Sequence, residues 1–281
     1  MEKPADIIDR DHEWALLARL WESDRPELCF VRGRRRVGKS FLLAPFTRTV
    51  RGIYFQATRR TEAEQLRDLS RKLGQRFEDA ALIHGGGLPD WPSILAYLRE
   101  RAGEEPFLLT LDEFPYLAEA APSLTSVLQE FLDHRMRGSS IKLVLAGSHI
   151  TSMRRLEAAD QPLYARRTAC LDVRPFDCLD AGRFVPDHNH RDRIRTYAAF
   201  GGVPGHLALL APDRSFAENV TRSILDPSSR LHDEAQHMLD AFLGEARVHY
   251  SILDAIANVY ASKRVHALPL LYRAVEPHRC R

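Results

Sequence analysis

The sequence predicts an α/β fold: a parallel β-sheet covered by helices on both faces, followed by a small all-helical unit. Short apolar runs at 27–31, 52–57, 107–112 and 141–147 are separated by segments of helical spacing. Runs that are apolar throughout, rather than alternating, are the strands of a sheet buried on both faces. Behind CLDVRPF (170–176) the strand pattern stops and helical spacing takes over. These observations put a boundary at 171/172.

Taken in order, DHEWALLARLWE (11–22) sets Trp14, Leu17, Leu20 and Trp21 at helical spacing, so an amphipathic helix opens the fold. ELCFV (27–31) is a buried strand running into Gly33, and 40–46 reads as a helix start. GIYFQA (52–57) is the second strand and 61–76 a polar amphipathic helix. HGGGLPD (84–90) is a loop, and a helix follows from about Pro92 to Arg101. FLLTLD (107–112) is the third strand, SLTSVLQEFLDHRM (123–136) a helix and IKLVLAG (141–147) the fourth strand. The helical region beyond is interrupted by GGVPG (201–205) and DPSS (226–229).

The chain has 281 residues, 44% hydrophobic and 28% charged, with a net charge of +2. That balance argues neither for nucleic acid nor for an anionic membrane. Arginine supplies 35 of the 40 basic residues, so a lysine in a special place is not background. The four cysteines, Cys29, Cys170, Cys178 and Cys280, form no CxxC pair, which fits neither a disulfide framework nor a cysteine zinc site. With a charged start and no long apolar stretch, the expected compartment is the cytoplasm.

Gly33-Arg34-Arg35-Arg36-Val37-Gly38-Lys39-Ser40 fits G-x-x-x-x-G-K-[ST] between a strand and a helix, the phosphate loop of a P-loop protein. Its glycines let the backbone turn N–H groups inward around an anion, and the following helix start (Ser40, Phe41) adds unpaired donors. Lys39 is the residue type that bridges β- and γ-phosphates, and the Ser40 hydroxyl is a Mg²⁺ ligand. About 70 residues later the strand Phe107–Leu111 ends in Asp112-Glu113. Two acids ending a buried strand suit a cation and a water: Asp112 for Mg²⁺, Glu113 as general base. Ser148, ending the fourth strand, is either a γ-phosphate contact or the N-cap of the next helix. Arg166 and Arg167 are candidate γ-phosphate cations or surface ion-pair partners. His188 and His190 read as a solvated loop rather than a metal pair.

These motifs resemble those of prokaryotic AAA-type ATPases in the archaeal-ATPase/STAND-like branch. The matches are Asp9-Arg10 with Glu13-Trp14, GRRRVGKS, LDEFPYL (111–117), Gln129, LVLAGS (143–148), Met153, PLYARRT (162–168), Pro175-Phe176 and Phe200-Gly201-Gly202-Val203-Pro204. The resemblance implies an α/β core over 1–171 and a helical lid over 172–247. It also implies that the Gly201–Pro204 segment lies near the nucleotide base or ribose, which makes Pro204 a cofactor contact. Three departures stand out. His149 follows Ser148 where the family has a second serine, and Ala165 stands where the family has glycine before the arginine. Beyond a Y-S-I-L helix, the family continues into a winged-helix module and often a nuclease-like domain. Here 248–281 reads as a truncated remnant of the former.

The function expected is Mg·ATP binding with hydrolysis to ADP and phosphate, coupled to the angle between core and lid. The alternative is a nucleotide-dependent switch with little or no turnover, acting through a homo-oligomer or a protein partner. An ATP-dependent nucleic-acid-binding protein ranks behind both, and no membrane partner is expected.

Overall fold

Parallel pairing organises the computed structural model, which describes residues 1–136, 138–234, 251–252 and 255–256. Five strands, β1 (Glu27–Arg32), β2 (Gly52–Gln56), β3 (Phe107–Asp112), β4 (Ile141–Gly147) and β5 (Ala169–Asp172), lie in the order β2-β3-β4-β1-β5. Every neighbouring pair is parallel. β3 and β4 are buried along their whole length, as their mostly apolar runs require.

Side-chain alternation along each strand splits the core in two. Leu28 and Phe30 of β1 face a large cluster packed under α3 (Glu62–Phe77), α5 (Trp91–Ala102), α6 (Phe114–Ala120) and α7 (Leu124–Glu130). Cys29 and Val31 face a smaller cluster beneath α1 (Asp11–Glu22) and α2 (Lys39–Thr49). Helix starts are set locally: Thr61 and Glu64 form a reciprocal capping box on α3, and Asp90 caps α5. The helix read as starting over 40–46 runs from Lys39 to Thr49 with Pro45 inside it, anchored by buried Leu42, Leu43, Phe46 and Thr47. Short helices α4 (Ala80–His84) and α6 were not legible as elements, being five and seven residues long. The helix expected over 123–136 is α7 followed by a π-helical turn, Phe131–Arg135.

Lys142 is a buried lysine on β4, with its Nζ donating to Ser23 O at 2.6 Å and Arg25 O at 2.5 Å. Its task is to close the turn before β1 against the sheet. Burial lowers its pKa.

Behind β5 the chain is helical as expected: α8 (Ile150–Arg155) precedes the strand, and α9 (Cys178–Ala181), α10 (His190–Phe200), α11 (Pro204–Leu207) and α12 (Phe216–Val220) come after it. The chain divides into two compact units after Pro212, not at 171/172. The physical reason is that 173–205 hydrogen-bonds back onto the phosphate loop, as described below. From Asp213 onward, α12 is started by a second capping box, Ser215 with Glu218. The winged-helix remnant expected over 248–281 lies outside the described residues, apart from 251–252 and 255–256. Among the described residues no helix is long and apolar enough to cross a membrane. Nor do three or more His, Cys, Asp or Glu side chains gather there as metal ligands would, His188 and His190 included.

Candidate functional site

The sheet order puts the C-terminal ends of β1, β4 and β3 side by side, and each end carries one part of the expected site. β1 leads into the loop Gly33–Gly38, whose backbone turns left-handed at Arg36 (φ 66°) and Gly38 (φ 98°). That alternation is what aims successive N–H groups into one concavity. Gly33 is required by space: a Cβ there would lie 2.5 Å from Val173 O and 2.9 Å from the Val37 side chain. Val37 is buried and fastens the loop from beneath, while Arg34 and Arg35 are exposed.

Lys39 opens α2 and is only 4% exposed. Its ammonium donates to Gly33 O at 2.9 Å, to Arg34 O at 3.2 Å and to Ser148 Oγ at 2.8 Å. Burial holds it below the ordinary lysine range, opposed by the charges of Glu113 and Asp112. Beside it, the Ser40 hydroxyl donates to Asp112 Oδ2 at 2.5 Å. Asp112 is fully buried at the end of β3, and its Oδ1 accepts the Glu113 N–H at 2.9 Å. Glu113 sits at φ 53°, a strained conformation for a side-chain-bearing residue. Its carboxylate accepts from Ser148 twice, through the backbone N–H at 3.2 Å and through the hydroxyl. Lys39, Ser148 and Glu113 thus form one hydrogen-bonded chain across three strand ends. Ser148 does not cap the next helix: α8 starts after His149, with no side-chain cap.

Pro204 lies against the loop, its Cγ 3.9 Å from where a Cβ on Gly38 would be. Gly205 N–H donates to Arg36 O at 3.1 Å. Its missing side chain permits this, since a Cβ would come within 2.6 Å of Arg36 Cβ. Phe41, in the first turn of α2, is 56% exposed.

Arg166 is not brought to this cluster. Its guanidinium forms a two-pronged pair with Asp133, at 2.9 and 2.8 Å, and also donates to Pro162 O and Tyr164 O. Two residues on, Thr168 N bonds Leu28 O near the start of β1, whereas the phosphate loop follows its end. That separates the two by about 13 Å of strand, taking ~3.3 Å per residue. The expectation that Arg166 reaches a γ-phosphate held by its own chain is therefore corrected: the arginine secures the loop that leads into β5. Arg167 pairs with Glu157, which also takes Arg32. Ala165 keeps the left-handed backbone (φ 56°) that the family's glycine suits. Ala165→Gly is expected to raise stability by about 0.5–1 kcal/mol, strain relief outweighing the entropy of glycine. Chemical denaturation reads it out, and a loss of stability refutes it.

Sequence reasoning missed Tyr54, and it had Arg10 only as part of a family match, with no role. Tyr54 of β2 donates its hydroxyl to Asp112 Oδ2 at 2.5 Å. Arg10, 5% exposed, donates to Val37 O at 3.2 Å and Arg174 O at 2.7 Å, pairs with Glu13 and lies 4.5 Å over the Phe176 ring. Arg10 thereby fastens the phosphate loop to the segment entering the helical region. Arg10→Ala is expected to cost about 2–4 kcal/mol, because two inward carbonyls lose a charged donor. A change in unfolding free energy below ~0.5 kcal/mol would contradict this.

Comparison with known proteins agrees with the geometry. An uncharacterized protein of Methanocaldococcus jannaschii is 24% identical over 252 residues, covering 89% of this chain and 54% of that protein. The chain therefore spans about half the length of that relative. A Walker-type ATPase of Pyrococcus abyssi superposes with a TM-score of 0.66 at 21% identity, over 97% of this chain and 90% of that one. The ORC2 protein of Aeropyrum pernix, solved with ADPNP and ADP, superposes at 0.63 with 14% identity, over 97% and 81%. At such identities these two likenesses speak for the fold. The model of an ATPase domain predominantly from Archaea matches residues 7–210, the stretch that carries every strand and the whole cluster at their ends, and to that ATPase family the chain belongs.

Proposed function

We propose that this chain binds Mg·ATP and hydrolyses it to ADP and phosphate, passing the nucleotide state to the helical region that follows β5. The observation that carries the reading is the convergence of Lys39, Ser40, Asp112, Glu113 and Ser148 in one hydrogen-bonded cluster beneath a left-handed loop. The residues fit the ligand. A concave run of backbone N–H groups and a buried ammonium suit a polyphosphate. The Ser40 hydroxyl against the buried carboxylate of Asp112 is a donor set of hard oxygens, suited to Mg²⁺. When bound, Mg²⁺ neutralises charge on the phosphates.

In the reaction, the oxygen of a water forms a bond to the γ-phosphorus as the bond to the β-phosphate oxygen breaks. Glu113 orients that water and accepts its proton. Lys39 leaves Ser148 for the β- and γ-phosphates, which opens the Lys39–Ser148–Glu113 chain at its first link and leaves Ser148 donating to Glu113 alone. Pro204 flanks the loop and borders the ribose or base, and Phe41 contributes at the start of the helix that follows the loop. Because Gly205 and Arg10 bond loop carbonyls directly, a shift of the loop on binding phosphate is felt in segments 173–176 and 202–205.

One observation favours a second reading, a switch that binds ATP and turns it over slowly or not at all. Ser148 engages both oxygens of Glu113, which restrains the base. Phosphate release at saturating Mg·ATP, measured across a wide range of protein concentration, separates the two. Turnover at any concentration supports hydrolysis. Tight ATP binding with no turnover throughout leaves the switch, and no ATP binding refutes both.

A further inference from the structure

Tyr54 belongs to none of the motifs and stands on β2, the outermost strand on its side of the sheet. Opposite it across the β2–β3 pair is Thr110, and opposite Gln56 is Asp112. Tyr54 and Asp112 are therefore diagonal neighbours on one face, within reach of a long side chain. The phenol covers that distance and donates to Asp112 Oδ2 at 2.5 Å, the oxygen that also accepts Ser40 Oγ at 2.5 Å. With the Glu113 N–H on Oδ1, three donors fix a carboxylate that is wholly buried. Each of the other two has a further duty. Ser40 would also hold the cation, and the Glu113 amide belongs to the residue proposed as base. Tyr54 donates to the carboxylate and lies beside the Ser40 hydroxyl, and its ring packs against the apolar layer beneath α2.

We infer that Tyr54 is a positioning residue for the divalent-cation site: its hydroxyl holds Asp112 in the orientation that presents Oδ2 to Ser40, and so sets how strongly Mg²⁺ is held beside ATP. The inference rests on the role proposed above for Asp112. It makes β2, which bears no motif residue, part of the metal site. Loss of such an outer partner commonly weakens a metal site by about 10- to 100-fold.

The test compares the full chain with Tyr54→Phe and Asp112→Asn. ATP affinity is measured calorimetrically in EDTA, and the cation midpoint is then read by titrating Mn²⁺ into the ATP complex under electron paramagnetic resonance. Tyr54→Phe is expected to bind ATP in EDTA as the parent does, while its Mn²⁺ midpoint rises by about 10- to 100-fold. Equal loss of ATP affinity with and without the cation would mean a merely structural role and overturn the inference. An unchanged Mn²⁺ midpoint in Tyr54→Phe, beside a raised one in Asp112→Asn, overturns the role of Tyr54 and leaves that of Asp112 standing. An unchanged midpoint in Asp112→Asn removes the cation-site reading itself, and the inference with it. Should Tyr54→Phe not fold, 3-fluorotyrosine at position 54 makes the phenol a stronger donor without changing its shape. A shifted Mn²⁺ midpoint in that protein supports the inference, and an unmoved one overturns it.

Discussion

Lys39→Ala is expected to abolish ATP binding, read as the loss of the thermal stabilisation that saturating ATP gives the parent chain. At a ligand concentration about 100 times Kd that stabilisation is ~2.7 kcal/mol, several degrees for a domain of this size. The reason is more than charge. The ammonium is 4% exposed and bonds Gly33 O, Arg34 O and Ser148 Oγ. Alanine removes the cation proposed to meet the phosphates and also the strut that keeps the two loop carbonyls turned inward. An affinity loss of at least about 100-fold is expected, the equivalent of one hydrogen bond to a charged group at ~1.5–3 kcal/mol together with the lost loop geometry. An ATP-induced shift in the variant equal to that of the parent would remove Lys39 from the site.

Glu113→Gln separates binding from turnover. Glutamine keeps the shape and removes the basicity, so ATP affinity is expected to stay within about threefold while phosphate release falls by ~10²–10⁴-fold, the span of general-base catalysis. The strained backbone at Glu113, φ 53°, is consistent with a residue placed for chemistry rather than for helix initiation. Equal rates in parent and variant would take the base away from Glu113 and leave Ser148 as the nearest polar group to the loop lysine. In a parent with no measurable turnover the comparison has no reference, and the concentration series described above decides first.

Much of this was legible in the chain because the chemistry is local in sequence. The loop from Gly33 to Ser40 is contiguous, so its residue types and spacing are read directly, and the acids Asp112-Glu113 announce themselves by ending a buried apolar run. The four apolar runs marked the strands because a sheet covered on both faces keeps its strands mostly apolar. The fifth strand, Ala169–Asp172, is short and partly exposed, and for that reason it was read only as the end of the strand pattern. Arg166 shows the limit of motif reading: an arginine can be placed in a family's pattern, yet its partner, Asp133, is fixed by packing at the other end of the sheet.

The sequence by itself determined the α/β sheet and proposed a phosphate loop, a metal-type acid and a candidate base for it to hold, since each depends on neighbours a few residues away. Tertiary structure alone decided which distant residues complete the site. Strand order brings Ser148 between Lys39 and Glu113. The β2–β3 pairing brings Tyr54 to Asp112, and the fold-back of 173–205 brings Arg10, Arg174 and Gly205 onto the loop. A hydrogen bond between residues tens of positions apart leaves no trace in local spacing. It exists only once the sheet has set the register.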